Sequence, residues 1–312
     1  MELNINKIRK YCLNKDYRFL VNANLGLYNW LPDKPYLIKR FEAEFGYKLD
    51  LDNVKTFNEK IQWLKLYDHN PNYICMVDKY RVREYVSNTI GDNYLVPLIG
   101  VWDSPDDINF NLLPNQFVLK CNHNSGLGMF ICKDKSKLNI NRVKADLKKG
   151  LSENYYIHGR EWPYKDVPRK IICEAYITDE NSNEIDGGLK DYKLMCFNGE
   201  VKCSFVCADR FTGNGLHISF FDREWNELPF EREYPRIESL VNKPKNYELM
   251  VALAEKLSFG IPFVRIDFYE VDQRVLFGEM TFYPGGGYEK FSPSEWDLVL
   301  GDWIELPKEM KS

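Results

Sequence analysis

Two groups of residues far apart in the chain have the types and spacing for phosphate chemistry. The first is Phe117-Val118-Leu119-Lys120-Cys121, an apolar run that delivers a lysine into the loop Asn122-His123-Asn124-Ser125-Gly126-Leu127-Gly128. A lysine with its stem buried at a strand end offers its ammonium to a phosphate oxygen. The small residues Ser125, Gly126 and Gly128 let the backbone N–H groups of the loop from Asn122 onward approach the same anion. A lysine reaching solvent beside an ordinary hairpin turn is the competing account. The loop is not a Walker loop, since no G-K-[ST] follows, and not a dinucleotide fingerprint, since a hairpin rather than a helix follows.

The second group is Arg265 and Asp267 in Val264-Arg265-Ile266-Asp267-Phe268, with Glu279 and Thr281 in the segment that runs from Gly278 into Pro284-Gly285-Gly286-Gly287. Two carboxylates on neighbouring antiparallel strands repel unless neutralised, and a magnesium ion between them is the economical remedy. Arg265 faces the same way as Asp267 and is suited to charge spreading over a transferring phosphoryl group. An Arg265–Asp267 salt bridge inside a sheet is the alternative. Gly285 and Gly286 mark a backbone that approaches something closely, or a tight exit turn. Together the two groups point to a nucleotide held with magnesium.

Further candidates are less distinctive. Glu174 ends an apolar run where a carboxylate needs a partner, and the backbone at Tyr176 and Ile177 could meet a purine edge. Asp191 and Lys193, at i and i+2 of a strand, share a face, so Lys193 could reach a phosphate while Asp191 orients it; a surface pair explains the spacing nearly as well. Arg210 and His217 could bind an anionic substrate or sit in an ordinary surface loop.

The elements that must position these residues are legible in outline. Residues 1–70 read as helical, with a cationic amphipathic start and a later helix carrying Phe57, Ile61, Leu64 and Leu66 behind a Thr56/Glu59 capping box. A helix over 79–88 and a strand over 94–99 follow, as in an α/β unit. Strands are expected at 117–121, 129–132, 170–177, 191–197 and 201–206, with Asn198-Gly199 as a hairpin turn. A surface helix is expected over 143–152. A helix over 246–258, patterned on Leu249, Leu253 and Leu257, precedes the two carboxylate strands, which turn at Val271-Asp272-Gln273.

Composition bounds the function. The 312 residues are 44% hydrophobic, enough for a real core, and the formal charge of −4 lacks the basic surplus that would grip nucleic acid. Eight cysteines without a C-x-x-C pair, behind a polar start with no signal-peptide pattern, read as reduced thiols in a cytoplasmic protein. No apolar run is long enough for a bilayer, so any membrane contact would be peripheral, through residues 5–20.

These residues resemble the ATP-grasp superfamily: Lys120 with its loop, Glu174-Ala175-Tyr176-Ile177, Asp191-Tyr192-Lys193, and Arg265, Asp267 and Glu279. Phe57-Asn58-Glu59-Lys60-Ile61-Gln62-Trp63, Asp78-Lys79-Tyr80, Glu279 to Gly287 and Leu300-Gly301-Asp302-Trp303 resemble its TupA-like branch, named for teichuronopeptide synthesis. The resemblance covers about residues 40–308. It implies an α+β chain in which two α+β subdomains clasp ATP, with 117–180 carrying the phosphate loop and 181–312 the metal site. A helical region (1–70) and a small α/β segment (71–116) precede them. Lys120 and Lys193 would hold the phosphates, Glu174, Tyr176 and Ile177 the adenine, and Asp267, Glu279 and Thr281 the Mg2+. Lys193 and Arg265 would act on the transferring phosphoryl group. The implied activity is a carboxylate-amine ligase working through an acyl phosphate, on a uronic-acid carboxylate of a surface polysaccharide precursor and an amine, with polysaccharide-assembly enzymes as neighbours. A glycosyltransferase and a nucleotide-binding scaffold without turnover are the alternatives. The chain departs from the pattern at Thr281, where many members have asparagine, and at Asn124, where the branch has glycine.

Overall fold

A computed structural model describes residues 5–178, 189, 191–208 and 215–307. The helical start is present as α1 (Ile5–Leu13), α2 (Lys15–Asn24), α3 (Asp33–Phe45) and α4 (Phe57–Tyr67). The capping box forms at α4: the Thr56 hydroxyl accepts from the Glu59 N–H at 3.2 Å, and the Glu59 carboxylate accepts from the Thr56 N–H at 2.9 Å. Beside the buried apolar Phe57, Ile61 and Leu64, α4 carries a second buried stripe, polar, at Asn58, Gln62 and Lys65.

The next region departs from expectation. The helix expected over 79–88 forms as α6 (Val82–Ile90), and a short helix that was not expected, α5 (Asn72–Val77), precedes it; between them Asp78 turns the chain by accepting from the Tyr80 N–H at 2.8 Å. Strand β1 (Leu98–Trp102) starts four residues later than the apolar run predicts. Pro97 has no N–H for a ladder, so its carbonyl accepts from Ala175 N at 2.9 Å but two-sided pairing begins after it. β1 pairs antiparallel with β4, so no parallel α/β unit forms.

β2 (Phe117–Cys121), β3 (Phe130–Cys132) and β4 (Ile171–Ala175) complete an antiparallel sheet in the order β1-β4-β2-β3. Helix α7 (Ile140–Ser152) buries Val143 and Leu147 against Phe117, Leu119, Ile171 and Cys173, and α8 (Tyr155–Gly159) leads the chain back toward the cleft.

A larger antiparallel sheet holds β5 (Asp191–Phe197), β6 (Glu200–Ala208), β7 (His217–Asp222), β9 (Phe263–Val271) and β10 (Arg274–Thr281), in the order β10-β9-β5-β6-β7. The short β8 (Glu231–Arg232) pairs with β11 (Phe291–Ser292). The two hairpin turns have left-handed residues at both central positions: Asn198 and Gly199 at φ 52° and 86°, Asp272 and Gln273 at 48° and 62°. β7 was not expected, since Ile218, Ser219, Phe220 and Phe221 are all buried and the run has no period-two signal. Helix α9 (Tyr247–Leu257) packs on the sheet through Met250, Leu253, Ala254 and Leu257; Leu249, expected on that face, is 40% exposed. Helix α10 (Glu295–Asp302) closes onto α4. Helices and antiparallel strands are thus segregated, an α+β architecture.

Candidate functional site

The centre of the site is one row of side chains across three strands. Lys193 on β5 lies opposite Asp267 on β9, and Asp267 lies opposite Glu279 on β10. A regular β9-β10 ladder would not do this. With Asp272-Gln273 as the turn, the ladder pairs Phe277 with Phe268, so the next position, Gly278, should face Asp267; a bulge there brings Glu279 opposite Asp267 instead. Without the extra residue Glu279 would point to the other face of the sheet.

Electrostatics tie this row together. Arg265 donates from Nε to Asp267 Oδ1 at 2.6 Å and from Nη2 to Asp267 Oδ2 at 2.7 Å and Glu279 Oε1 at 2.8 Å. Lys193 Nζ donates to Asp267 and pairs with Asp191 Oδ2 at 2.5 Å. Burial raises the Asp191 carboxyl to about 6, with repulsion from Asp267 adding to it; its Oδ1 is buried without a partner. Burial also opposes the Glu279 charge, but Arg265, Lys79, Lys193 and Lys120 outweigh it and pull that carboxyl down to about 2. The Lys193 ammonium is raised above its ordinary value: burial works against it and Asp267 wins. The Arg265–Asp267 salt bridge, the alternative from sequence, is therefore formed.

A cleft of about 290 Å³ opens in front of the row, lined on one side by Arg265, Glu279 and Thr281 and on the other by Ser125 and Lys79. Lys79, not singled out from sequence, reaches over the loop and donates to Asn124 O at 2.5 Å; burial lowers its ammonium, with Glu279 the largest opposing charge. Ser125 and Gly126 are exposed, and Gly126, at φ 86°, has open space where a Cβ would stand. Asn124 is buried and tied to Glu153 Oε2 at 2.8 Å, which stiffens the loop.

Two expected phosphate ligands have other work. Asn122 is fully buried; its side chain bonds Asp78, Pro168 and Lys170, its N–H donates to Lys170 O, and its carbonyl accepts from Lys79 N. It clamps β2 to the turn at Asp78 and has no group left for a ligand. Gly128 is buried against α7, where a Cβ would lie 2.8 Å from Cys121 Sγ and 3.0 Å from Gly150 Cα, so it serves packing.

Lys120 and Glu174 meet directly at 2.6 Å, and Arg83 takes the other Glu174 oxygen at 3.1 Å. Glu174 is buried, with both oxygens held by these cations. Beyond it, Ile177 packs with Tyr269 against Val96, Val271 and Leu276 in a small apolar cluster, and Tyr176 is half-buried. His217 opens β7, three strands from β9 and so roughly 14 Å away at ordinary strand spacing; it does not line the cleft. Arg210 lies outside the described residues.

The turn after β10 is held by the polar stripe of α4. Gln62 Nε2 donates to Gly286 O at 3.1 Å and Gly287 O at 2.8 Å, Lys65 Nζ to Gly286 O at 2.5 Å, and Asn58 Nδ2 to Glu289 O at 2.8 Å. Gly285 and Gly286 adopt φ 56° and 66° and line the cleft floor. A broader depression of about 990 Å³ near Gly199, Arg223 and Glu255 contains none of these residues.

For a divalent cation the donor set is oxygen only, as a hard ion requires. Glu279 has 40% of its side chain accessible and the Thr281 hydroxyl beside it, 3.2 Å from Oε1. Asp267 is 1% exposed and already bound by Arg265 and Lys193, leaving a lone pair on Oδ1. The set fits magnesium with Glu279 as its main anchor.

The profile of the TupA-like ATP-grasp family matches residues 59–305. No curated protein matches the chain. Among solved structures, a D-alanine-D-alanine ligase from Bacillus anthracis complexed with ATP is similar at 15% identity and TM-score 0.42, over 75% of this chain and 64% of that one. A D-alanine-D-alanine ligase from Helicobacter pylori is similar at 16% and 0.41, over 80% and 69%. A biotin carboxylase from Campylobacter jejuni is similar at 12% and 0.40, over 80% and 49%. The chain thus spans less than two thirds of the first and third. With the profile covering most of the chain, and the loop, the charged row and Gln62 and Lys65 of α4 inside the matched segment, the chain belongs to the TupA-like ATP-grasp family.

Proposed function

We propose that the protein is an ATP- and magnesium-dependent ligase that joins a carboxylate to an amine through an acyl phosphate. The observation that carries this reading is Arg265 bridging Asp267 and Glu279 at the wall of a cleft whose opposite wall is the Lys79/Ser125 loop. Magnesium, when bound, would neutralise phosphate charge at Glu279, Thr281 and Asp267. Lys120, Lys193 and Lys79 would hold phosphate oxygens, and Ser125 and Gly126 would offer backbone N–H groups. Arg265 would steady the transferring phosphoryl group without reorganising, since two carboxylates already fix its plane. Glu174, Tyr176 and Ile177 would receive the adenine beside the Val96–Leu276 cluster. For the carboxylate we propose a uronic acid of a surface polysaccharide precursor, in keeping with the branch the chain belongs to.

Calorimetric titration with ATP and GTP, with and without magnesium, tests the reading. Wild-type protein is expected to bind ATP in a magnesium-dependent way, and Glu279→Gln and Lys120→Ala to weaken it by roughly 10- to 100-fold, the loss of one charge-assisted contact. Phosphate release on adding glucuronate or galacturonate with an amine would then identify the ligase step. Absence of nucleotide binding by the wild type would refute the proposal.

A further inference from the structure

At the end of the cleft away from the loop the charges are balanced and the hydrogen bonds are not. Glu161, which follows α8, is 7% exposed and lines the cleft. Its counter-charges are Lys65 and Arg40, which stack over the Tyr288 ring 4.8 and 4.6 Å from its centroid. Arg40 Nε also meets Glu44 at 3.9 Å, so two cations stand against two carboxylates and a ligand has no charge to neutralise there. Yet among the described residues neither Glu161 oxygen accepts a hydrogen bond. Lys65 donates instead to Gly286 O and to Gln62 Oε1 at 3.0 Å. Arg40 uses Nη1 for His158 O and for the Tyr36 hydroxyl at 3.3 Å, and its Nη2 has no partner among the described residues. Buried polar groups without hydrogen bonds are costly even when their charge is countered.

Two phenols extend this surface. Tyr155 on α8 and Tyr164 after it line the same cleft, their ring centroids 4.7 Å apart and their planes at 64°. Neither hydroxyl has a hydrogen-bond partner among the described residues. Burial raises both phenols, and Glu161 is the largest charge adding to the shift, so both stay protonated. Glu279 and Arg265 act on the same two phenols, which therefore stand in the field of Glu161 and of the charged row together. A phenol donates and accepts, a carboxylate accepts and a guanidinium donates. The ligand group that answers all of them without bringing charge is a hydroxyl, and a ring carrying several hydroxyls can also lay its apolar C–H face on the phenol rings.

Resting on the ligase reading, we infer that this end of the cleft holds the ring hydroxyls of a monosaccharide acid: Tyr155 and Tyr164 exchange hydrogen bonds with them, Glu161 accepts and Arg40 Nη2 donates, while the acid's carboxylate points to Arg265. A plain aliphatic acid reaches Arg265 but leaves these four groups unpaired, and an ammonium adds charge where charge is already balanced. Specificity follows from the unpaired groups, since a site built to hydrogen-bond a hydroxyl rejects the analogue that lacks it. At about 290 Å³ the cleft is at the small end of ligand pockets, so it takes one ring beside a phosphoryl group and not a chain of rings. The remainder of a larger precursor would leave past His158, which lines the cleft with 60% of its side chain accessible.

Acids with and without hydroxyls test the subsite. Glucuronate, galacturonate, propionate and ethanolamine are titrated into protein labelled with 13C on tyrosine, with and without magnesium AMP-PNP, and followed by NMR. At least one uronate is expected to shift the cleft tyrosines of the wild type and to bind at least tenfold more tightly than propionate, and ethanolamine to leave them in place. The double variant Tyr155→Phe with Tyr164→Phe should weaken that uronate roughly 10- to 100-fold, the loss of two neutral hydrogen bonds, with Tyr283 and Tyr288 as the remaining reporters in the cleft. Its affinities for propionate and AMP-PNP and its thermal midpoint should match the wild type, because the two hydroxyls bond nothing in the protein. The inference is overturned if no uronate binds the wild type, if propionate binds as tightly, if the double variant keeps the wild-type affinity for the uronate, or if ethanolamine binds in preference. If AMP-PNP binds neither protein, the ligase reading fails, and the uronate titrations without nucleotide still decide the subsite.

Discussion

Replacing Asp267 by asparagine tests the charged row most directly. The carboxylate is 1% exposed and receives three bonds from cations: two from Arg265, at 2.6 and 2.7 Å, and one from Lys193. Asparagine keeps one oxygen as acceptor but turns an NH₂ group toward two donors, so two charge-assisted bonds are lost, about 3–6 kcal/mol. Relief comes from Asp191, raised from 3.8 to about 6 by burial first and by Asp267 second. That shift is worth about 3 kcal/mol in all, so the smaller Asp267 share returns about 1 kcal/mol. The expected net loss at pH 7.5 is therefore about 2–5 kcal/mol, read as a lower urea midpoint at unchanged slope. The sign of the pH dependence is a second check. A carboxyl with a raised folded pKa contributes stability that is present below its unfolded pKa and lost as pH rises through about 6. At pH 5 Asp191 is protonated in the wild type and there is no repulsion to relieve. The gap between wild type and variant should thus be wider at pH 5 than at pH 7.5, by about 1 kcal/mol. A loss under about 1 kcal/mol at pH 7.5 would refute the claim that water is kept from the row, and a gap that widens with pH would refute the assignment of Asp191.

Gly301→Ala should destabilise by about 3 kcal/mol or more, because the new Cβ would lie 2.2 Å from Lys55 O and 2.7 Å from Thr56 C, backbone atoms at the start of α4; thermal unfolding measures it. Gln273→Gly should stabilise by about 0.5–1 kcal/mol, since Gln273 holds φ 62° in a turn that glycine occupies without strain; an unchanged urea midpoint would show the turn relaxes in solution. Burial raises Glu161 to about 7 and lowers Lys65 to about 7. Glu161 costs stability as pH rises from its unfolded value to 7, and Lys65 recovers stability as pH rises from 7 toward its unfolded value. Wild-type stability should therefore be lowest near pH 7, lower than at pH 5 and at pH 9, and the double variant Lys65→Met with Glu161→Gln should remove this minimum.

What could be read from the sequence follows physical lines. The β2–β3 hairpin around Lys120, the Asn198-Gly199 turn and the Thr56/Glu59 box depend on neighbours within a few residues, and all three form as expected. Asp267 and Glu279 were recognisable because each sits in a strand of bulky apolar residues. Their facing required a bulge that the spacing already implied: with Asp272-Gln273 as the turn, Asp267 should oppose a glycine. Lys79, Lys65, Arg40 and Glu161 left no such trace. Each reads as a lone charge that a helix or loop would turn to solvent, and only the folding of the chain around the cleft buries them. Asn122 misled for the opposite reason: a polar residue in a phosphate-like loop was assigned outward, whereas it satisfies Asp78, Pro168 and Lys170 inside the protein.

The polar stripe on α4 explains why the helical region and the sheet act as one unit. Asn58, Gln62 and Lys65 are buried polar groups on a helix, which is unfavourable unless their donors find acceptors; all three donors do, while Asn58 Oδ1 is left without a partner. Their partners are the carbonyls of Gly286, Gly287 and Glu289, at a turn whose left-handed backbone exposes carbonyls that no strand takes up. Neither side is satisfied without the other. On the far side of the same helix Lys60 Nζ donates to Gly301 O and Ile304 O, both at 2.9 Å, so α4 also fixes α10. The cleft floor at Gly285 and Gly286 therefore inherits its position from α4, and the distance from Arg265 to Glu161 is set by packing rather than by either sheet alone.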